Sequence, residues 1–421
     1  MKNNELAILE AVDALREDML DFACRLVAQP SVLGQEDGAL EVMASELSLL
    51  GYDPVRAAMD SPELAAHPGF APTPWSQEGR YSLAATRPAD GTGGKSALFN
   101  GHLDVVSQEP LNLWDRDPYD PLVKDGWLHG RGAGDMKGGV AAMTYALKAV
   151  ERAGLGLAAP VTLEGVIEEE CTGNGALACL VAGFDADAVL IPEPFGATIL
   201  VSQVGVMWFK VSLSGVPKHA LEASSGVNAI EMCCYLMAAL RALEKEFNRD
   251  KGADFAHLEN PAHLNIGVIQ GGDWPSTVPA MAEFHCRLGF LPGTSFEQAS
   301  QAVRRCLAQA ARQDPWLRDN PPRVEFYGFR SQGHRVDRDQ PALNLLGQCH
   351  QELSGQEAPS QACTCTTDLR AFIHYGRGQA TCFGPVAQNI HAQNERVNIA
   401  SMAHTAKVYA LFLARWCGLV Q

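Results

Sequence analysis

The chain has 421 residues, 47% hydrophobic and 19% charged, so a folded globular protein of more than one domain is expected. Lys and Arg number 33 against 49 Asp and Glu, and the net charge of −16 repels a nucleic-acid backbone or an anionic membrane surface. No apolar run is long enough for a membrane span, the start carries no signal-peptide core, and the 12 cysteines lack C-x2-C spacing; a cytoplasmic location with reduced thiols is expected.

Residues 5–28 read as one amphipathic helix, with Leu6, Leu9, Val12, Leu15, Leu20 and Phe22 on its apolar stripe. A second helix over 36–50 stops at Gly51. The Pro-, Ala- and Ser-rich stretch 60–80 is a long loop or insertion that either shapes the mouth of a site or covers surface. Strands are predicted at 81–86, 97–99, 161–167 and 186–191, with helices at 141–150 and 176–181. This alternation implies an α/β fold with a parallel or mixed sheet covered on both faces.

The pattern changes after residue 203. A half-buried strand at 206–213 precedes a helix at 228–246, strands at 263–269 and 280–288, a helix at 296–312 and a strand at 323–328. That is an α+β unit of domain size, inserted into the α/β domain. Helices return at 340–353 and 404–416. The expected division is therefore 1–203 and 331–421 for one domain, with 204–330 inserted.

Chemistry-bearing residues collect where strands end, as they do in α/β sheets. GHLDVV places His102 and Asp104 two residues apart, so both point one way; Asp104 can hold the imidazole while His102 binds a metal, or the pair is a solvated strand end. GRGAGDMKGG lacks the register of a dinucleotide or phosphate loop, which leaves Asp135 as a helix cap or a carboxylate shared by two cations. Glu168, Glu169 and Glu170 follow an apolar strand and Glu193 follows another; each is either a solvated turn or a ligand or proton-transfer group. Taken together, His102, Asp135, Glu170, Glu193 and His391 supply the mixed nitrogen and oxygen ligands of a binuclear zinc hydrolase.

In their order along nearly the whole chain, GHLDVV, GRGAGDMKGG, the glutamate run, PEP and the distal histidine resemble the zinc-dependent aminoacylase, acetylornithine deacetylase, succinyl-diaminopimelate desuccinylase and carboxypeptidase family. The resemblance implies a mixed-sheet catalytic domain with an inserted lid and dimerisation domain. It implies His102 and Glu193 on one Zn2+, Glu170 and His391 on the other, Asp135 as the bridge, and Co2+ or Mn2+ as substitutes. It also implies Glu169 as general base, Asp104 orienting His102, and a cis peptide after Asp135. The run departs from the family's Asp-Glu-Glu-x-Gly, and the downstream Gly175 sets the register chosen here.

The loop around His219 resembles the family's histidine loop, which stabilises the oxyanion in a partner subunit, so a homodimer is expected. Ser276 stands at the family's asparagine position, Arg370 at the arginine that binds a substrate carboxylate, and Gly384 where the backbone approaches substrate. Asp368 is a rival ion-pair partner for Arg370, and Cys363 and Cys365 are pocket-wall thiols or soft ligands. The implied function is hydrolysis of small N-acyl amino acids, as in acetylornithine deacetylation. The alternatives are a metallo-dipeptidase or carboxypeptidase and, outside enzymes, a noncatalytic metal-binding scaffold.

Overall fold

The computed structural model describes residues 1–420. Its main sheet is mixed, in the spatial order Val55–Ala58, Tyr81–Arg87, Val161–Val166, Ala97–His102, Ala188–Ile191, Gln379–Cys382. The first three strands pair antiparallel and the remaining pairings are parallel. The strands Ala97–His102, Val161–Val166 and Ala188–Ile191 are buried throughout, as parallel strands covered on both faces require.

Period-two alternation along Ala97–His102 decides what each face meets. Phe99 packs on Tyr409 of the helix Ile399–Trp416, and Gly101 lies where any Cβ would meet Val140 of the helix Gly138–Arg152. Asn100 and His102 therefore project from the opposite face. Leu98 and Phe99 belong to the larger apolar core, which also takes in Val12, Phe22, Leu147 and Phe412.

A second apolar core uses Met207, Phe209, Val211, Leu236, Phe284 and Leu307. It joins the helices Ala229–Phe247 and Phe296–Gln313 to a four-stranded antiparallel sheet ordered Leu264–Gly271, Met281–Phe290, Gly205–Ser214, Arg323–Ser331. Alternation leaves Trp208, His285, Arg287 and Tyr327 on the sheet's other face, where Trp208 stands opposite both Arg287 and Tyr327. That face closes over the ends of the main-sheet strands.

Most predicted elements are present, with shifted bounds. The first helix is two, Asn3–Ala14 and Arg16–Val27, because Leu15 leaves helical geometry at φ −98° and ψ 6°. The buried stripe runs through Ile8, Val12, Leu15, Met19 and Phe22, while Leu6 is exposed. The last helix begins at Ile399 instead of 404, since the Asn398 side chain accepts the Ser401 N–H at 2.9 Å and caps it. The stretch 60–80 holds one short helix, Pro62–Ala65, and is otherwise irregular. Among the described residues, no helix is long and apolar enough to cross a membrane.

Candidate active site

Three sheet ends and two loops converge on one place. His102 ends its strand buried, with Nε2 3.0 Å from Asp135 Oδ1. His391 Nε2 lies 3.3 Å from Asp135 Oδ2 and 3.0 Å from Glu170 Oε1. Two imidazoles thus address opposite oxygens of one carboxylate, and possible ligand atoms of His102, Asp135 and Glu170 all fall within 4.8 Å of one another. The Asp135–Met136 peptide is cis. Glu193 is buried beyond the strand Ala188–Ile191 but outside that tight trio.

The charges in this cluster constrain one another. Burial pushes the Glu193 carboxyl well up, helped by Asp135 and opposed by His102. Burial does the same to Glu169, again opposed by His102, and Glu169 Oε1 has no hydrogen-bond partner. Asp135 is held low in spite of its burial, because His102 and His391 both bond it. Glu170 leads the groups that push the His391 imidazole up to about 11. Two imidazoles and several buried carboxylates around a shared oxygen pair form a donor set that fits a borderline divalent transition metal.

Asp104 does something the spacing does not foretell. His102 Nδ1 pairs with the Asp104 backbone carbonyl at 2.9 Å, while the carboxylate Oδ1 stands 3.7 Å away. The Asp104 carboxylate instead accepts the N–H of Glu169 at 3.2 Å and of Glu170 at 3.1 Å. It fixes the backbone that carries both glutamates. Glu168 points away from this cluster and is fully buried, accepting from Trp75 Nε1 at 2.7 Å, Gln77 Nε2 at 2.8 Å, Thr172 Oγ1 at 2.6 Å and from Arg80. The stretch 60–80 is thereby tied to the site's support, and its Pro72 carbonyl accepts from Gly328 of the antiparallel sheet.

A cavity of about 420 Å3 opens over the cluster, lined by Glu169, Glu170 and His391 on one side and by Trp208, His285 and Arg287 on the other. Arg370 lines a separate cavity of about 90 Å3 with Thr172, Arg330 and Tyr375. Its Nη1 donates to Thr366 Oγ1 at 3.2 Å and the Thr367 carbonyl at 2.9 Å; both Asp368 oxygens are unpartnered, so the alternative Asp368–Arg370 ion pair is not formed. Gly384 is buried against backbone, where a Cβ would sit 2.2 Å from the Glu193 carbonyl oxygen. His219 and Ser276 are exposed in loops of the inserted unit and do not line the Glu169 cavity within one chain. His219 Nδ1 accepts the Leu221 N–H at 3.1 Å, and the Ser276 carbonyl accepts from Ala220 at 2.9 Å.

Sequence reasoning passed over Trp208, His285, Arg287 and Tyr327, although their alternation with apolar residues was a legible signal of a second functional face. It also gave no part to Glu395, whose carboxylate is buried beneath the Asp135 loop.

The chain is 27% identical over 345 residues, 77% of its length and 80% of the relative's, to N-formyl-4-amino-5-aminomethyl-2-methylpyrimidine deformylase of Halalkalibacterium halodurans. Its fold matches the di-peptidase Dug1p of Saccharomyces cerevisiae at a TM-score of 0.79 and 15% identity, covering 99% of each chain. Human carnosine dipeptidase 1 matches at 0.76 and 17% identity, covering 97% of this chain and 98% of the other. Residues 98–415 match the pattern of Peptidase family M20/M25/M40, and the chain belongs to this family of metal-dependent amide hydrolases.

Proposed function

We propose that this enzyme deacylates small N-acyl amino acids with two zinc ions, or Co2+ or Mn2+ in their place, held by His102, Asp135, Glu170, Glu193 and His391. The observation that carries the reading is a single cavity whose opposite walls bear Glu169 and Arg287. When bound, the metals supply Lewis-acid polarisation of the amide carbonyl and acidify water. Glu169 takes a proton from the attacking water and returns it to the leaving nitrogen. Asp104 keeps the Glu169 and Glu170 backbone in place through its two N–H contacts. Arg287 receives the substrate carboxylate, and its planar guanidinium suits a bidentate contact. Arg370 acts from behind, by holding the turn at Thr366 and Thr367.

His219 and Ser276 complete the site of a second copy in a homodimer, with Gly384 leaving the Glu193 backbone unobstructed. Support comes from exposed apolar side chains at this end of the inserted sheet: Ile269 on the edge strand Leu264–Gly271, Trp274 in the loop after it and Met281 opening the next strand. Segment 204–330 is the lid and dimerisation unit in this reading. The free state of all 12 cysteines fits a reducing cytoplasm.

The aromatic walls Trp208, Tyr327 and Phe329 favour one further substrate class, an N-formylated heteroaromatic methylamine like that named for the bacterial relative. Hydrolysis across N-acyl amino acids, dipeptides and such formamides, with Glu169→Ala alongside, tests both readings. Deacylation by wild type that is lost in Glu169→Ala with metal content unchanged is expected. Preferential cleavage of dipeptides would sink the substrate assignment, and full activity in Glu169→Ala would sink the base.

A further inference from the structure

Cys363 ends the strand Ser360–Cys363, and Cys365 follows two residues on, in the bend that leaves the strand. Their Sγ atoms are 2.9 Å apart, close enough to share a proton, and both thiols are free. Cys363 is buried, whereas Cys365 is half-buried and lines the cavity beside Glu169, Glu170 and His391. The residue between them, Thr364, offers its carbonyl to Arg287 Nη2 at 2.8 Å. Thr366 pairs with Ser331 of the inserted sheet at 2.5 Å. The two sulfurs therefore flank the turn that holds Arg287 in the cavity wall.

We propose that Cys363 and Cys365 form an oxidation site for peroxides, in which an intrachain disulfide releases Arg287 and weakens substrate binding. Contact with Cys365, helped by the Arg287 charge, holds the Cys363 thiol below its usual range, so Cys363 carries the thiolate, while the same contact and burial hold Cys365 up. Cys363, as its thiolate, attacks one oxygen of a peroxide that enters the cavity Cys365 lines; the O–O bond breaks, Cys363 becomes the sulfenic acid, and hydroxide leaves. Cys365 then attacks that sulfur, the S–S bond forms, and the S–O bond breaks. The departing oxygen takes a proton and leaves as water. Across both steps two thiols lose two electrons and two protons, and hydrogen peroxide becomes two waters. Closing a ring across a single intervening residue rotates the Thr364 peptide, and with it the carbonyl that Arg287 holds.

The effect on substrate rests on the deacylase reading, while the bond itself does not. The test treats metal-loaded enzyme with hydrogen peroxide and follows peptide masses and steady-state kinetics. A peptide carrying residues 363–365 should lose two hydrogens, and KM should rise about tenfold, the scale of one lost contact to a charged group. A dithiol reductant should reverse both. In Cys363→Ser neither change should occur relative to its own untreated sample, and Cys234→Ser, which removes an exposed thiol of the inserted unit, should respond like wild type. Absence of the linked peptide, a linked peptide with unaltered KM, or reversible inhibition that persists in Cys363→Ser would each overturn the proposal. If no N-acyl amino acid is turned over, the functional reading fails, and the mass change still decides whether the bond forms.

Discussion

The Glu395 carboxylate holds the Asp135 backbone: its Oε1 accepts the N–H of Asp135 and of Gly134, each at 2.9 Å. Its Oε2 accepts the Gly132 N–H at 3.0 Å and Arg131 Nη1 at 2.6 Å. Glu395 lies four residues beyond His391, so one buried carboxylate couples the loop of a candidate ligand to the carboxylate two histidines share. Glu395→Ala strands the buried Arg131 charge and frees three backbone donors. A stability loss of about 3–5 kcal/mol is expected from the unpaired charge, with metal affinity reduced roughly 10–100-fold through the loosened loop. Urea unfolding and metal content at limiting zinc read the two effects. Wild-type metal affinity in a folded Glu395→Ala protein would refute the positioning role.

Glu168 and Glu169 are neighbours with separate work. Glu168 gathers Trp75, Gln77, Arg80 and Thr172, and Arg80 also reaches Glu36 at 2.5 Å. Glu168→Ala should cost on the order of 3 kcal/mol, because Arg80 keeps only one of its two carboxylates in a buried setting. Metal content should be retained. Glu169→Ala should do the reverse, leaving stability near wild type while removing turnover. A chelator-like loss of metal in Glu168→Ala would place that residue among the ligands instead.

How far the sequence spoke depended on the range of the interactions. Strands such as 161–167 were visible because their apolar runs are local; His102 and Glu170 stood out as polar residues at the ends of such runs, and Asp135 within the Gly-rich GRGAGDMKGG. The kink at Leu15 was hidden because the apolar stripe passes through it without interruption. Glu395 was invisible for a different reason: its partners lie some 260 positions away in sequence, and nothing local marks it as buried. The same holds for the stretch 60–80, whose purpose appears only when Trp75 and Arg80 meet Glu168.

Two arginines compete for the substrate carboxylate, and the cavities separate them. Arg287 lines the space over Glu169, while Arg370 lines the smaller one and bonds Thr366 and Thr367. Arg287→Ala should raise KM for a carboxylate-bearing substrate by about tenfold or more, with a smaller change for an uncharged amide. Arg370→Ala should lower stability and affect both substrates alike. Equal KM changes for charged and uncharged substrates in Arg287→Ala would remove it from the anchoring role.

His334 offers a pH test remote from the metal cluster. Its side chain is buried with neither ring nitrogen partnered, and burial, then His374 and Arg370, pulls its pKa down to about 3. In the unfolded chain an ordinary histidine titrates near 6.5. Above that pH neither state is protonated and His334 adds no pH dependence. As pH falls between the two values, the unfolded chain binds a proton that the folded one refuses, so stability declines and levels off only below the folded value. His334→Leu removes this titration and two unpartnered polar atoms at once. The variant should therefore gain on wild type as pH drops from about 7 to about 4, by an amount on the order of a few kcal/mol at the lower end. Urea unfolding across that range measures the difference, and a stability gap that stays constant with pH would show that His334 takes up its proton in the folded protein as readily as in the unfolded chain.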